Sequence, residues 1–288
     1  MAITDLLSLD DHRAADLIPI LERAVSLADR WRARDMPRRL EGMRVALVRD
    51  DGGWRNTTAF DLGIQAMGGL CIQTPMSLQG GEAVADLGRY LDNWFDIVVV
   101  RTPSLDRLRE LAAATCAPVI NARTRSNHPC ETLGDLAYVL HARGSIGGLK
   151  VAVVAPDDNI LGSWAEAAAV LPIEVVQIYH ERWRAHRFEG VSRFSTTTDI
   201  GALADADVVI TDCWPKDAAP EEVLAYQISA ARLAQLASGA LFIPCPPVTR
   251  GQEVTADAMA APACRVIDAK AFLLHAQNAL LEMIASEL

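Results

Sequence analysis

The sequence predicts an α/β protein built of two doubly wound parallel-sheet domains. Short apolar segments alternate with helical patterns along the whole chain, and this alternation is typical of βαβ units that form a parallel sheet. The chain has 288 residues, which is long for one core and natural for two domains of about 140 residues each. A glycine-rich segment, residues 144–148, separates two halves of the same predicted architecture and is a plausible hinge.

Composition and charge restrict the class of protein. Hydrophobic residues make up 51% of the chain and charged residues 22%, which is ordinary for a soluble globular protein. The net charge of −10 argues against nucleic acid or an anionic membrane as a partner. No apolar run approaches the roughly 18 residues that span a bilayer, and the acidic N-terminus lacks a signal-peptide pattern. We therefore expect a cytoplasmic protein.

The six cysteines are scattered along the chain without C-x-x-C spacing. Zinc sites and disulfide frameworks show closer or more regular spacing. We therefore expect mostly buried thiols in a reducing compartment. The sequence predicts neither a metal site nor a cofactor.

The first half is predicted to contain four strands and five helices. Asp10 and Asp11 are placed to cap the first helix, in which Leu17, Leu21 and Ala28 follow helical spacing. The predicted strands are Met43–Val48, Leu70–Thr74, Ile97–Val100 and Pro118–Ile120. The helices that follow them are predicted at Thr57–Met67, Ala83–Leu91, Leu105–Ala114 and Pro129–Arg143.

The second half repeats this alternation. Its predicted strands are Leu149–Ala155, Ile173–Ile178, Asp207–Thr211 and Ala240–Ile243, with a fifth at Arg265–Ile267. Helices are predicted between them at Gly162–Leu171 and Ala230–Ala237, and Arg182–Thr198 is interpreted as a loop with some helix. The tail Ala271–Leu288 is predicted to be an apolar helix that packs between the domains.

Polar and charged side chains follow six of the predicted strands. Ligands of open parallel sheets bind outside the carboxyl ends of the strands. A single polar residue after a strand is usually only loop, but six such positions in two domains favour a binding cleft. These positions are Arg55, Arg101, His128, Asp157–Asn159, Asp212 and Cys245.

His128 lies at the start of a predicted helix. Pro129 follows it, and proline is favoured at the first helical position. The backbone N–H groups and the positive end of the helix dipole make such a position suitable for an anion. Arg123 and Arg125 in the preceding loop add positive charge. The alternative interpretation is a helix start beside solvated arginines.

The segment from His128 to Leu136 reads H-P-C-E-T-L-G-D-L. It resembles the H-P-x-Q-x-L-x-D-L motif of the aspartate/ornithine carbamoyltransferase family. In that family the histidine and glutamine contact the carbamoyl group of carbamoyl phosphate. The resemblance implies that His128 polarises an acyl oxygen, with Arg101 as the arginine that helps to hold it. Glu131 stands where the family has glutamine.

The resemblance extends over nearly the whole chain, to C-P-P-V-T-R-G-Q-E-V-T and L-H-A-Q-N-A-L-L near its end. It implies that residues 1–143 form a carbamoyl-phosphate (donor) domain, completed by the C-terminal helix 271–288. Residues 144–270 would then form the domain that binds the amine acceptor, an amino acid. Family members are usually trimers, so the resemblance also implies a homotrimer.

The segment that matches the family's phosphate loop differs from it. The family has S-T-R-T-R where this chain has Gly53, Trp54, Arg55, Asn56 and Thr57. The resemblance assigns Arg55 to the phosphate and places Trp54, Asn56 and Thr57 among the substrate-binding residues. A further arginine of the family's C-terminal helix is replaced by Leu273. Arg123 and Arg125 are candidates to restore the lost charge.

Glu131 changes the chemistry expected at the donor site. A glutamine both donates and accepts hydrogen bonds, whereas a carboxylate only accepts and prefers a cationic or donor-rich partner. Such a position would suit an amidine-like group, a protonated amine or a water molecule to be activated. The alternative is that Glu131 forms an ion pair with Arg123 or Arg125.

The acceptor side of the resemblance is partly retained. Asp157, Asp158 and Asn159 resemble the segment that holds the α-amino end of an amino acid, and Ser163 is assigned to substrate binding with Asp158 and Asn159. Asp212 matches an aspartate that receives the acceptor's amine, and a carboxylate there would orient an ammonium group. Lys216, also assigned to substrate binding, would favour an acceptor with a carboxylate, or is an ordinary loop lysine. Cys245 would contact the acceptor amine or is an inert buried thiol.

Three hypotheses for function follow. The first is a carbamoyltransferase-like enzyme in which Arg55, Arg101, His128, Glu131, Asp212 and Cys245 carry the reaction. The second is an enzyme of the same fold that acts on a different donor, with the site rebuilt around Trp54 and Glu131. The third is a non-catalytic protein that binds an amino acid or a partner protein.

Overall fold

The structure, a computed structural model, describes residues 3–50 and 52–288. Met1, Ala2 and Asp51, which lies in the loop before the predicted Trp54–Thr57 segment, are outside the described residues. The chain divides into two compact units. The first comprises residues 1–144 together with 270–288, and the second comprises residues 145–269.

The first domain contains a four-stranded parallel sheet in the order β2-β1-β3-β4. The interior strands β1 and β3 are almost completely buried, which is why they read as continuous apolar runs in the sequence. The strands are β1 (Arg44–Arg49), β2 (Leu70–Thr74), β3 (Ile97–Arg101) and β4 (Val119–Arg123). The helices are α1 (Ala14–Arg32), α2 (Trp54–Ala66), α3 (Val84–Asp92), α4 (Leu105–Ala114) and α5 (Pro129–Arg143).

The second domain contains a five-stranded parallel sheet in the order β7-β6-β5-β8-β9. The strands are β5 (Leu149–Val154), β6 (Ile173–Ile178), β7 (Phe194–Thr197), β8 (Val208–Thr211) and β9 (Leu241–Pro244). Its helices are α6 (Asn159–Val170), α7 (Pro220–Val223) and α8 (Ala230–Leu233). The long C-terminal helix α9 (Val266–Ala285) begins in this unit and belongs to the first unit from Lys270 onward. Two parallel-sheet α/β domains confirm the predicted fold class. Among the described residues, no helix combines the length and the apolar character needed to cross a membrane.

The predicted fifth strand of the second half is wrong. Arg265–Ile267 is not a strand, because α9 already begins at Val266. The fifth strand is instead β7, inside the segment that was predicted to be mainly loop. Its sequence Phe-Ser-Thr-Thr carries one large apolar residue, so it lacks the hydrophobic signal of an interior strand.

The start of the first helix also differs from the prediction. Asp10 and Asp11 lie in a short 3-10 turn, and α1 begins later, at Ala14. The Asp16 carboxylate accepts a hydrogen bond from the backbone N–H of Arg13 at 3.1 Å. The helix start is therefore satisfied by an acidic residue in the first turn instead of by Asp10 or Asp11.

The C-terminal helix α9 returns to the first domain, as predicted. The Arg23 guanidinium on α1 makes two hydrogen bonds of 3.0 Å with the Glu282 carboxylate on α9. The Phe272 ring on α9 packs edge-on against the Tyr138 ring on α5, with centroids 5.6 Å apart. Helix α9 is therefore part of the first domain's core from Lys270 onward.

Candidate active site

Three arginines lie side by side at the carboxyl edge of the first sheet. Arg101, the last residue of β3, pairs in register with Arg49 of β1 on one side and with Arg123 of β4 on the other. Residues in register on parallel strands project to the same face of the sheet. A β-bulge between Val100 and Arg101 shifts the β4 pairing and brings Arg123 opposite Arg101. Positive charge is therefore concentrated at this edge.

The start of α2 lies beside the Arg101 side chain. Gly53 caps this helix with φ of 110°, a backbone conformation that favours glycine. A Cβ atom at Gly53 would stand 2.5 Å from Cζ of Arg101, so only a glycine permits the guanidinium to lie there. The helix N-terminus and Arg101 together form a favourable site for an anion.

The other residues of the predicted phosphate segment have different roles. Trp54 is 64% exposed, and the Arg55 guanidinium lies 5.0 Å from its ring centroid. Asn56 is buried, and its side-chain amide donates to the Ala122 carbonyl at 3.2 Å. The Thr57 hydroxyl donates to the backbone carbonyls of Gly53 and Trp54. Arg55 and Trp54 are therefore open to a ligand, whereas Asn56 connects α2 to β4 and Thr57 stabilises the helix start.

His128 caps α5 and is buried, 8% exposed. Burial, together with the positive charges of Arg101, Arg123 and Lys270, lowers the pKa of its imidazole to about 4. The nearby Glu131 carboxylate opposes this shift. The imidazole is therefore neutral at neutral pH, and a neutral imidazole carries one N–H donor. Arg101, Arg123 and His128 thus share one electrostatic environment.

Glu131 is paired with a residue that the sequence did not suggest. Its Oε1 atom lies 2.8 Å from Nζ of Lys270 on α9, and its Oε2 atom lies 3.9 Å from Nε2 of His128. The same Lys270 ammonium donates to both oxygens of Asp135, at 2.7 and 2.8 Å. The alternative that Glu131 pairs with Arg123 or Arg125 is therefore wrong.

The pKa values of the two carboxyl groups move in opposite directions. Burial tends to raise the pKa of Glu131, but the charges of Lys270 and Arg101 and the hydrogen bond from Lys270 lower it overall. The pKa of Asp135 is raised to about 6, mainly by burial and also by the negative charge of Glu131, because Lys270 compensates only in part. As the pH falls through about 6, Asp135 is therefore the member of the pair that takes up a proton, while Glu131 stays ionised.

The second domain places three predicted residues at the start of α6, directly after β5. The Asp158 side chain caps this helix by accepting from the Asn159 N–H at 2.6 Å. Asn159 and Ser163 are both buried and lie one helical turn apart, on the same face. Asp157 instead pairs with Arg187 at 2.9 Å and is exposed. Of the residues predicted to bind the acceptor, Asp158, Asn159 and Ser163 therefore lie together at this helix start.

Asp212 and Cys245 lie at adjacent strand ends in the second sheet. Thr211 of β8 pairs in register with Pro244 of β9, and the Cys245 N–H donates to the Thr211 carbonyl at 2.9 Å. Asp212 is partly buried and its Oδ1 accepts from the Cys213 N–H at 2.8 Å. Cys245 is buried, 7% exposed. Lys216 is exposed in the loop that follows.

Two further groups of this region were not predicted. Glu253 is 3% exposed and Tyr179 is 4% exposed. Among the described residues, neither Oε2 of Glu253 nor the Tyr179 hydroxyl has a hydrogen-bond partner. Burial raises the pKa of the Tyr179 phenol, and the charges of Asp212 and Glu253 raise it further. Asp212, Glu253 and Tyr179 therefore share one acidic environment.

Only part of this arrangement had a signal in the sequence. Lys270 is the only charged residue, histidine aside, between Asp268 and Glu282, which marks it as unusual within an apolar helix. Glu253 lies in the segment G-Q-E-V-T, but the neighbouring residues give no indication that its side chain is buried. Tyr179 directly follows the predicted strand Ile173–Ile178, where polar residues lie at the edge of the sheet.

Two family descriptions match the chain. Residues 4–141 match the carbamoyl-P binding domain of aspartate/ornithine carbamoyltransferase. Residues 147–284 match the Asp/Orn binding domain of the same family.

Named relatives are similar over nearly their whole length. An ornithine carbamoyltransferase of Nitrobacter winogradskyi is 33% identical over 294 residues, covering 96% of this chain and 95% of the relative. One of Mesorhizobium japonicum is 32% identical and covers 98% of both chains. The solved ornithine carbamoyltransferase of Pyrococcus furiosus superimposes with a TM-score of 0.93 at 27% identity, covering 100% of this chain and 98% of that one.

Both domains of the chain thus carry the family match, and the fold agrees over its full length. The chain belongs to the aspartate/ornithine carbamoyltransferase family and is a transferase of the carbamoyltransferase type.

Proposed function

We propose that this enzyme transfers the carbamoyl group of carbamoyl phosphate to the amine of a basic, ornithine-like amino acid. One observation carries the proposal. Groups that bind anions and polarise carbonyls gather at the carboxyl edge of the first sheet, while carboxylates gather at the carboxyl edge of the second. The names of the relatives support the same donor and acceptor.

On the donor side, Arg101 and the start of α2 hold the phosphate, with Arg55 as a further cation. Arg123 lies in register with Arg101, and the charges of both arginines lower the pKa of His128. Arg123 thereby supplies positive charge that the family's S-T-R-T-R loop would otherwise provide. This arrangement supports carbamoyl phosphate as the donor in spite of the altered loop. The neutral His128 imidazole and Arg101 then polarise the carbonyl oxygen.

On the acceptor side, Asp212 and Glu253 favour a cationic group. The acceptor enters as an ammonium ion and must lose a proton before its nitrogen attacks. Asp212 orients this ammonium group, while Asp158, Asn159 and Ser163 at the start of α6 hold the α-amino end. Cys245, beside Asp212, contacts the amine. An acidic environment of this kind disfavours a dicarboxylic acceptor such as aspartate.

The reaction forms a C–N bond between the acceptor nitrogen and the carbamoyl carbon. The C–O bond to phosphate breaks, phosphate leaves with that bonding pair, and the amine releases a proton. Arg101 and His128 stabilise the oxyanion that develops on the carbonyl oxygen, and positioning of both substrates provides most of the rest.

The test is a product assay with carbamoyl phosphate and a panel of amines comprising ornithine, lysine, putrescine and aspartate. Phosphate release and the ureido product, identified by mass spectrometry, are measured together. We expect ornithine to give the highest kcat/KM. If aspartate gives more ureido product than ornithine, the proposal of a basic acceptor is wrong. If no amine gives a ureido product, the proposal of carbamoyl transfer is wrong.

We also propose a homotrimer. The edge strand β2 exposes Leu70 and Ile72, at 55% and 40%, and the adjacent helix α2 exposes Leu62 at 49%. Exposed apolar residues on a free sheet edge are a common feature of association surfaces. Light scattering after gel filtration tests this proposal. A mass of three chains supports it, and a monomer at micromolar concentration contradicts it.

A further inference from the structure

A buried cluster of three charges connects helix α5 to helix α9. Glu131 and Asp135 are four residues apart on α5, so both carboxyl groups lie on one helix face. The Lys270 ammonium on α9 is within 2.8 Å of each. Glu131 is 7% exposed and Asp135 is 2% exposed. Lys270 is therefore the cation that both carboxyl groups share.

Lys270 determines whether the Glu131 carboxyl group is ionised when a ligand binds. A carboxylate that is buried without a partner is strongly disfavoured and becomes protonated. With Lys270 bound to Oε1, Glu131 remains ionised, and its Oε2 atom faces His128 at 3.9 Å. An ionised oxygen therefore lies beside the imidazole that polarises the donor carbonyl.

We propose that Lys270 is a specificity-determining, positioning residue of the donor site, which holds Glu131 as a charge-compensated hydrogen-bond acceptor for the amino group of the transferred carbamoyl. This inference rests on the proposed function, because it concerns the same donor. Lys270 acts through Glu131 and is not itself a catalytic residue.

Glu131 and Lys270 together provide a hydrogen-bond acceptor whose negative charge is compensated. The Glu131 oxygen accepts a hydrogen bond from an N–H group, as the oxygen of an amide does. An uncompensated carboxylate would repel the phosphate of the donor, whereas the Lys270 ammonium offsets the negative charge that Glu131 presents to the site. The site therefore selects a donor that has N–H groups next to its carbonyl.

Acetyl phosphate is the probe for this selection, because a methyl group replaces the amino group while the phosphate and carbonyl are kept. We expect the wild-type enzyme to bind carbamoyl phosphate at least about tenfold more tightly than acetyl phosphate, the difference expected for one charge-assisted hydrogen bond. Inorganic phosphate, as a third ligand, reports the anion site alone. All three affinities are measured by calorimetric titration.

Lys270→Met is expected to reduce the carbamoyl-to-acetyl preference to less than about threefold, because Glu131 then loses the ammonium that fixes the position of its carboxylate and compensates its charge. Its phosphate affinity should stay within about threefold of wild type, as Arg101 is untouched. The all-neutral variant Glu131→Gln/Asp135→Asn/Lys270→Met should recover the preference, because an amide oxygen accepts from the amino group without an ion pair. Arg23→Met, which breaks a different ion pair between α9 and the first domain, should leave the preference unchanged.

Each outcome decides the inference. If Lys270→Met folds and keeps the preference, the role of Lys270 is overturned while the proposed function stands. If Lys270→Met does not fold, the all-neutral variant decides: the preference is retained if the inference holds and lost if it does not. A wild-type enzyme that binds phosphate but does not distinguish the two acyl phosphates overturns the inference alone. A wild-type enzyme that binds none of the three overturns the inference and the proposed donor together.

Discussion

The guanidinium of Arg101 lies against the α-carbon of Gly53, where a Cβ atom would stand 2.5 Å from Cζ and 2.6 Å from Nε of the arginine. The glycine at the start of α2 therefore does two things. It adopts a φ of 110° that side chains rarely permit, and it leaves room for the arginine over the helix N-terminus.

Gly53→Ala should weaken donor binding, because the new methyl group displaces Arg101 from the helix start. The loss of one charge-assisted contact corresponds to about 1.5–3 kcal/mol, or roughly 10- to 150-fold in carbamoyl phosphate affinity. Calorimetric titration measures the change. Gly52→Ala is the matched control, because nothing lies within 4 Å of a Cβ atom there. Equal affinities in the two variants would contradict the role of Gly53.

Gly63→Ala should destabilise the first domain, although alanine is normally more favourable than glycine in a helix by about 1 kcal/mol. A Cβ atom at Gly63 on α2 would lie 2.1 Å from the side-chain oxygen of Asn278 on α9, and Asn278 is fully buried. We expect a loss of about 1–3 kcal/mol in the free energy of unfolding, measured by denaturant titration. Gly81→Ala, at an open loop position, is the control. A stabilised Gly63→Ala variant would show that α9 does not pack there.

Glu253→Gln should affect the acceptor and not the donor. The variant keeps the size of the side chain but removes the second negative charge near Tyr179 and Asp212. We expect the KM of ornithine to rise by about tenfold or more, with an unchanged dissociation constant for carbamoyl phosphate. Glu174→Gln, which changes an exposed carboxylate of the same domain, should alter neither constant. If only the dissociation constant of carbamoyl phosphate rises, Glu253 does not contribute to acceptor binding.

His275 should make the protein less stable in acid. Burial on α9, together with the charge of Arg32, lowers the pKa of its imidazole to about 4. As the pH falls from about 6.5 to about 4, the unfolded state binds a proton that the folded state does not, so stability falls by up to about 1.4 kcal/mol per pH unit. This contribution is absent above about pH 6.5, where the imidazole is neutral in both states.

His275→Leu should remove that part of the slope, as measured by urea unfolding at pH 7 and pH 5. Leu274→Ala is the control, because it removes volume from the same helix and no titratable group. It should lower stability by a similar amount at both pH values. A His275→Leu variant with the wild-type slope would show that His275 does not remain neutral in the folded protein.

The alternation of apolar strands and helical patterns was sufficient to predict most of the fold. β2, α4, α5 and β6 have the predicted bounds, because their apolar spacing and their Gly, Pro or Ser boundaries agree. The edge strand β7 has no clear signal in the sequence, because it is half polar. The start of α9 has the pattern of a strand, because Arg265–Ile267 is short and contains two β-branched residues. Edge positions and helix ends depend on tertiary contacts that no local pattern records.

The candidate site was predictable only where a strand end or a motif pointed to it. Arg101, His128, Asp212 and Cys245 occupy the sheet edges on which the prediction relied. The pairing of Glu131 was not predictable, since Lys270 is 139 positions away in sequence and approaches only when α9 packs on α5. Arg123 was considered as a source of charge, but its alignment with Arg101 depends on strand register.

The central claim is that the carboxyl edge of the first sheet still binds carbamoyl phosphate after the change of its phosphate loop. The most direct measurement is a calorimetric titration of the wild-type protein with carbamoyl phosphate, followed by one with inorganic phosphate. We predict micromolar binding of carbamoyl phosphate and weaker binding of phosphate, because only the former engages His128 and Glu131. No detectable heat with either ligand would contradict the account and would leave a donor of different chemistry, or no transfer, as the function of this fold.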